Sequence, residues 1–280
     1  KFDDQYIALD TALPSSNIIW GTSSSENIDV TNGDDVIDSA GGDDKILDNG
    51  GDDTLAIFSN KANFEIMTVA GITKIYGNTS VSGIGYAYYD DIIKTIGVES
   101  IAFSDQTVTL DTGYPSSGTV WIYWSYTTAS ETINSSDDTD LIDGSGGSDT
   151  INGKGGSDAL VIFSDKANFE IVTLAGLTKI YGDTYVSGLG SAYWLDTIRM
   201  INVEKIEFAD QTVDVQTSGL AGTYDFGSGV WGSTSGTNID GTDGNDVIDS
   251  GGGSDYVRGG AGNDTLLLFA DKADFEIVTL

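Results

Sequence analysis

No cysteine and no histidine occur among the 280 residues, proline is limited to Pro14 and Pro115, and 12 basic residues face 44 acidic ones. Without cysteine there are no disulfides, and without either residue there is no thiolate or imidazole to hold zinc or copper. The same absence removes the commonest general base and the thiol nucleophile, and there is no Gly-x-Ser-x-Gly elbow. The formal net charge of −32 repels nucleic acid and anionic membrane surfaces and favours cations as partners. No apolar run approaches the ~18 residues of a membrane span, and the opening "KFDDQYIALD" lacks the basic-then-apolar pattern of an export leader. The hydrophobic content of 39%, with 10% aromatic residues, exceeds that of a disordered acidic tail, so the chain can bury cores once its charge is neutralised.

What the chain has in abundance is repetition. "IFSNKANFEIMTVAGITKIYG" from Ile57 returns as "IFSDKANFEIVTLAGLTKIYG" from Ile162, and "LFADKADFEIVTL" from Leu268 begins a third copy, a period of 105 to 106 residues. "IAFSDQTVTLDT" ending at Thr112 recurs as "IEFADQTVDVQT" ending at Thr217, and the first residues match the end of the same phrase. This phasing divides the chain into 1–19, the end of a preceding unit; 20–123, the first unit; 124–229, the second; and 230–280, a truncated third. The simplest expectation is a segment of a longer tandem array; strand donation between neighbouring chains is the alternative.

Each unit has two parts. A Gly/Asp-rich part, 21–56, 127–161 and 232–267, spaces single aliphatic residues with Ser, Thr, Asn, Asp and Gly. A part rich in Ile, Val, Phe and Tyr follows at 57–112, 162–217 and 268–280, with linkers at 113–123 and 218–229. Phe64/Ile66, Ile101/Phe103 and Val108/Leu110 alternate as strands do, with Asp105-Gln106 as a hairpin turn. The stretch Asp91–Val98 reads as a short helix. The overall class is all-β.

The Gly/Asp parts run in nonapeptides. With the recurring acid numbered sixth, that position holds Asp35, Asp44 and Asp53, then Asp140, Asp149 and Asp158, then Asp246, Asp255 and Asp264, each with an aliphatic residue two places later. One nonapeptide earlier, the register continues at Glu26, Glu131 and Thr237. A nine-residue period does not fit a helix face; it fits a tight turn of about six residues followed by a short strand that points one aliphatic residue inward, with glycine supplying the turn conformations. The array resembles the RTX, or haemolysin-type, calcium-binding nonapeptide family, whose pattern is Gly-Gly-x-Gly-x-Asp-x-aliphatic-x. "GGAGNDTLL" from Gly259 matches fully, whereas "VTNGDDVID" from Val30 lacks the first two glycines.

The resemblance implies tandem short parallel β-rolls alternating with small antiparallel strand segments. It also implies Ca2+ between stacked turns, held by the sixth-position carboxylates and turn carbonyls, with Glu26 and Glu131 as further ligands. Same-edge partners then lie two nonapeptides apart: Glu26/Asp44, Glu131/Asp149 and Thr237/Asp255 on one edge, Asp35/Asp53, Asp140/Asp158 and Asp246/Asp264 on the other. Independently of the resemblance, calcium suits the composition, because it takes six to eight oxygens in loose geometry and needs neither His nor Cys.

The strand segment from Ile57 to Leu110 is expected to cover one open end of a roll, since bare strand edges invite aggregation. The aromatic clusters at 86–90, 121–126 and 191–196 suit core packing, or alternatively contacts with a cell-surface glycan or between copies. Glu65, Glu170 and Glu276 recur once per unit as surface strand residues would. No catalytic residue is expected. The readings left open are an extracellular calcium-dependent structural array such as a surface layer, filament or adhesin stalk, with self-association; a glycan-binding adhesin; and the export region of a secreted enzyme or toxin.

Overall fold

In the computed structural model the chain is described at residues 17–77, 91–113, 129–182, 196–217, 232 and 235–278, and by its backbone alone at 120–124 and 230–231. The clusters at 86–90 and 191–195 lie outside these residues.

The first unit contains β1 (Asn17–Trp20), β2 (Asn27–Asp29), β3 (Asp35–Asp38), β4 (Lys45–Leu47), β5 (Thr54–Ile57), β6 (Phe64–Val69), β7 (Ile72–Gly77), β8 (Ile92–Ile96), β9 (Ser100–Phe103) and β10 (Thr107–Thr109). Successive nonapeptides alternate between two sheets, ordered β1-β3-β5-β9-β10 and β2-β4-β8-β7-β6. Within each sheet the nonapeptide strands are parallel and two repeats out of phase, with Asn27 opposite Lys45 and Val36 opposite Thr54. That spacing makes one coil of two nonapeptides.

The second unit repeats the plan with β11 (Val120–Trp124), β12 (Thr132–Asn134), β13 (Thr139–Asp143), β14 (Thr150–Asn152), β15 (Ala159–Ile162), β16 (Phe169–Leu174), β17 (Leu177–Gly182), β18 (Thr197–Ile201), β19 (Lys205–Phe208) and β20 (Thr212–Asp214). Its sheets are β11-β13-β15-β19-β20 and β12-β14-β18-β17-β16. The third shows β21 (Val230–Trp231), β22 (Asn238–Asp240), β23 (Val247–Asp249), β24 (Tyr256–Arg258) and β25 (Thr265–Leu267).

The strand segment continues the roll. Strand β8 lies parallel to β4 and β9 parallel to β5, forming one more coil with a hairpin, β6–β7, inserted in it. Ala70 and Gly71 take φ of 50° and 78°, the left-handed pair of a two-residue hairpin turn that matches strand twist, and Ala175-Gly176 repeats it. The Asp105-Gln106 turn joins β9 to antiparallel β10, and the Phe103 amide donates to the Gln106 carbonyl.

Two expectations change. The stretch at Asp91–Val98 carries a strand, not a helix, because both of its faces are covered: Ile93 enters the roll core while Ile96 packs against the next unit. A strand buried on both faces loses the alternation that identifies it. Strands β1 and β11, in stretches assigned to a preceding tail and a linker, instead add parallel strands beside β3 and β13.

Each roll core is a stack of single aliphatic residues, Ile28, Ile37, Ile46 and Leu55 in the first unit, extended by Phe64, Ile75, Ile93, Ile101 and Phe103 from the strand segment. A second kind of core joins the units. Val69, Ile72 and Ile96 of one pack on Leu141, Ala159, Val161 and Phe163 of the next, and Leu177 and Ile201 pack on Val247 and Leu267. At its centre Lys74 Nζ and Lys94 Nζ lie 3.1 and 2.9 Å from Asp143, and Lys74 sits 4.1 Å over the Phe163 ring. Lys179 repeats this with Asp249 at 2.7 Å and Phe269 at 4.0 Å.

Candidate metal centre

Every predicted same-edge pair comes together. The amide of the earlier residue donates to the sixth-position carboxylate of the later one: Asp35 to Asp53 at 2.7 Å, Asp140 to Asp158 at 2.9 Å and Asp246 to Asp264 at 3.1 Å. On the opposite edge Glu26 donates to Asp44 at 3.2 Å, Glu131 to Asp149 at 2.9 Å and Thr237 to Asp255 at 2.8 Å. The fifth-position side chains run the other way, with the Asp52 amide donating to Asp34 and the Asn263 amide to Asn245. These crossed bonds fix how the turns stack.

Close stacking explains the glycine two places before the acid. Gly51 has φ of 141°, and a Cβ there would lie 2.6 Å from the carbonyl carbon of Gly33 in the turn above. Only glycine combines that backbone with so close an approach.

The first coil holds its acids in a way not anticipated from the sequence. The carboxylates of Asp35, Asp140 and Asp246 accept both the amide and the hydroxyl of Thr31, Ser136 and Thr242, four residues earlier. The signal was present: these nonapeptides carry a hydroxyl residue where the family pattern has its second glycine.

Among the described residues the deeper acids accept no such bond; Ser145 stands four residues before Asp149, but its amide donates to Asp143. Asp44, Asp53, Asp149 and Asp158 are buried, and in each Oδ2 has no hydrogen-bond partner. Burial in first place raises all four to a pKa of about 7, with further push from neighbouring acids such as Glu26 on Asp44 and Asp140 on Asp158, against the amide bond that pulls down. Buried carboxylates with free oxygens are costly unless a cation meets them. The first-position glycine leaves room for one: a Cβ on Gly144 or Gly259 would collide with Oδ2 of Asp149 or Asp264, and on Gly241 with both Asp246 Oδ2 and the Gly259 carbonyl. Among the described residues no three acidic side chains form one metal-holding group. Each position therefore offers paired carboxylates supplemented by turn carbonyls, a donor set of hard oxygens alone.

In the third roll Asp255 is half-buried and Asp264 exposed. Glu65, Glu170 and Glu276 are all exposed.

Residues 20–55, 126–160 and 231–266 match the RTX calcium-binding nonapeptide repeat family. The three rolls are RTX repeats. RTX nonapeptides bind calcium, and the oxygen set described above fits that ion. No curated protein matches the chain. Among solved structures it is similar to the extracellular lipase LipA from Serratia marcescens, at 14% identity and a TM-score of 0.19, over 75% of this chain and 41% of the lipase. The chain thus spans less than half the length of that structure.

The RTX pattern does not reach two acids that the fold adds to the ladder. Glu99 Oε2 accepts the Asp53 amide at 2.6 Å, and Glu204 Oε2 accepts the Asp158 amide at 2.8 Å. Both lie in phrases that the sequence presents as capping strands, 46 residues from the acid they meet. Asp91 and Asp196 similarly accept the amides of Gly42 and Gly147.

Proposed function

We propose that this chain belongs to an extracellular structural array, a surface layer, filament or adhesin stalk, in which calcium drives the folding of each unit and like faces of successive units stack. In this reading the calcium ligands are Asp35, Asp44, Asp53, Asp140, Asp149, Asp158, Asp246, Asp255 and Asp264 with Glu26 and Glu131, and no residue of the segment is catalytic. Among the described residues no helix is long and apolar enough to cross a membrane.

The observation that carries the reading is the recurrence of one unit-to-unit contact, Lys74–Asp143–Phe163 and again Lys179–Asp249–Phe269. An interface repeated with the same residues suits a lattice or rod in which each copy makes equivalent contacts. The receiving residues of that contact recur in the first unit as Asp38 and Phe58. The same acid-and-ring pair in all three units, Asp38/Phe58, Asp143/Phe163 and Asp249/Phe269, supports self-association through equivalent contacts.

Electron microscopy and sedimentation of the full chain, with excess calcium and with excess chelator, test the proposal. Calcium-dependent linear assemblies, reduced by Phe58→Asp, are the expected result. A monomer at all concentrations in calcium would overturn the array reading, and a far-ultraviolet spectrum indifferent to calcium would overturn the folding role.

A further inference from the structure

We infer that each of the first two units holds one calcium ion more than its nonapeptides provide, at the seam where the last nonapeptide meets the strand segment, between Asp53 and Glu99 and between Asp158 and Glu204. This rests on the proposed calcium role of the nonapeptide carboxylates.

The second unit shows the arrangement most clearly. Asp158 Oδ1 accepts the Asp140 amide from the coil above, and Glu204 Oε2 accepts the Asp158 amide in turn. Glu204 therefore stands to Asp158 as Asp158 stands to Asp140. The backbone agrees, since the amides of Glu204 and Lys205 both donate to the Asp158 carbonyl at 3.1 Å.

The space between them is oxygen-lined. Asp158 is 1% exposed and its Oδ2 has no hydrogen-bond partner. A Cβ placed on Gly153 would collide with that Oδ2 and with the Asn202 carbonyl oxygen, so both oxygens face one point. The same test one roll on, at Gly241, meets Asp246 Oδ2 and the carbonyl of Gly259, a first-position residue of the next coil. Asn202 thus supplies, from outside the repeat, the carbonyl that a nonapeptide supplies inside it, and Glu204 supplies the carboxylate. The set is carboxylate, carbonyl, carboxylate, the hard-oxygen chemistry that calcium takes.

The first unit reaches the same end by a different choice of side chains. Asp48 stands where the second unit has Gly153, and Gly97 where it has Asn202. A Cβ on Gly97 would lie 2.7 Å from both Cβ and Oδ2 of Asp48, so the acid on one side requires glycine on the other. An added negative charge beside the site makes the first seam the tighter of the two.

Calcium stoichiometry of the whole 280-residue chain, by equilibrium dialysis, with the double variant Glu99→Gln/Glu204→Gln, decides the matter. Glutamine keeps a carbonyl oxygen for the Asp53 and Asp158 amides and removes only the charge. Loss of two ions with an unchanged far-ultraviolet spectrum in saturating calcium is expected, as is weakening of one site by roughly tenfold or more in Asp48→Gly. Unchanged stoichiometry in the double variant would overturn the seam sites while leaving the nonapeptide sites standing. Absence of any bound calcium in the parent chain would instead overturn the reading beneath them. Should the glutamine variants lose their fold, Glu99→Asp and Glu204→Asp serve in their place: full occupancy with weaker affinity at one site each supports the inference, and unaltered affinity refutes it.

Discussion

Lys74 reaches across to Asp143, 69 residues further along, and the ammonium and carboxylate meet at 3.1 Å with neither side chain exposed to solvent. Burial alone would raise the Asp143 carboxyl, but Lys74 and Lys94 outweigh it and hold the pKa near 2. Asp143→Asn leaves two buried ammonium groups without their counter-charge, a change that costs ~3–5 kcal/mol when a buried pair is broken. Denaturant unfolding in saturating calcium should show that loss. Asp38→Asn, at the equivalent place in the first unit, where the Ala40 amide is the side chain's donor, should cost less.

The four acids held near a pKa of 7 set a pH dependence with a definite sign. An ordinary aspartate titrates near 3.8, so without calcium the folded state binds more protons than the unfolded state between roughly pH 4 and 7. Stability is therefore present below about pH 4 and declines as pH rises through 7. In excess chelator, far-ultraviolet dichroism should report more structure at pH 5 than at pH 8. Calcium reverses the order, because it competes with those protons; titration calorimetry at pH 6.5 in buffers of different ionisation enthalpy should reveal proton release on binding.

Thr237 sits where the other two rolls have glutamate, and its amide and hydroxyl both donate to Asp255 Oδ1, at 2.8 and 3.1 Å. That pair has one carboxylate instead of two, and affinity in oxygen sites falls with ligand charge. Thr237→Glu should strengthen calcium binding by one site in the third roll, and Glu26→Thr should weaken one in the first. Calcium titration of the whole chain carrying each change reads both effects.

Glycine at the fourth position is needed only where a turn lies beneath another. Gly156 has φ of 117° and a Cβ there would collide with the Asp138 carbonyl, whereas a Cβ on Gly33 meets nothing within 4 Å. Gly156→Ala should lower stability by ~1–3 kcal/mol or more, and Gly33→Ala by no more than about 0.5 kcal/mol. Thermal melts in calcium separate the two.

The nonapeptide ladder was readable because its chemistry is local: glycine, acid and aliphatic residue fall in one short turn, and a fixed period carries the register from coil to coil. The Asp105-Gln106 turn was readable for the same reason. Glu99 and Glu204 were not, since the β6–β7 hairpin separates them from Asp53 and Asp158 and breaks the count. Strand β8 escaped because Lys94, Thr95 and Ile96 are all buried, Lys94 against Asp143 of the following unit, and a lysine in an apolar run gives no hint of an ion pair one period away. The joints between units are equally silent, for they depend on which outer faces meet.

Those joints match unlike surfaces, the β8-β7-β6 side of one unit against the β13-β15 side of the next. Such a contact has no two-fold axis, so every copy points the same way and the stack has a head and a tail. Each added copy moves everything beyond it by one constant step and introduces no new kind of contact. The proposed array would then lengthen in whole units, as on a ruler graduated in single steps, because each joint sets an acid and an aromatic ring against basic side chains of the neighbouring unit.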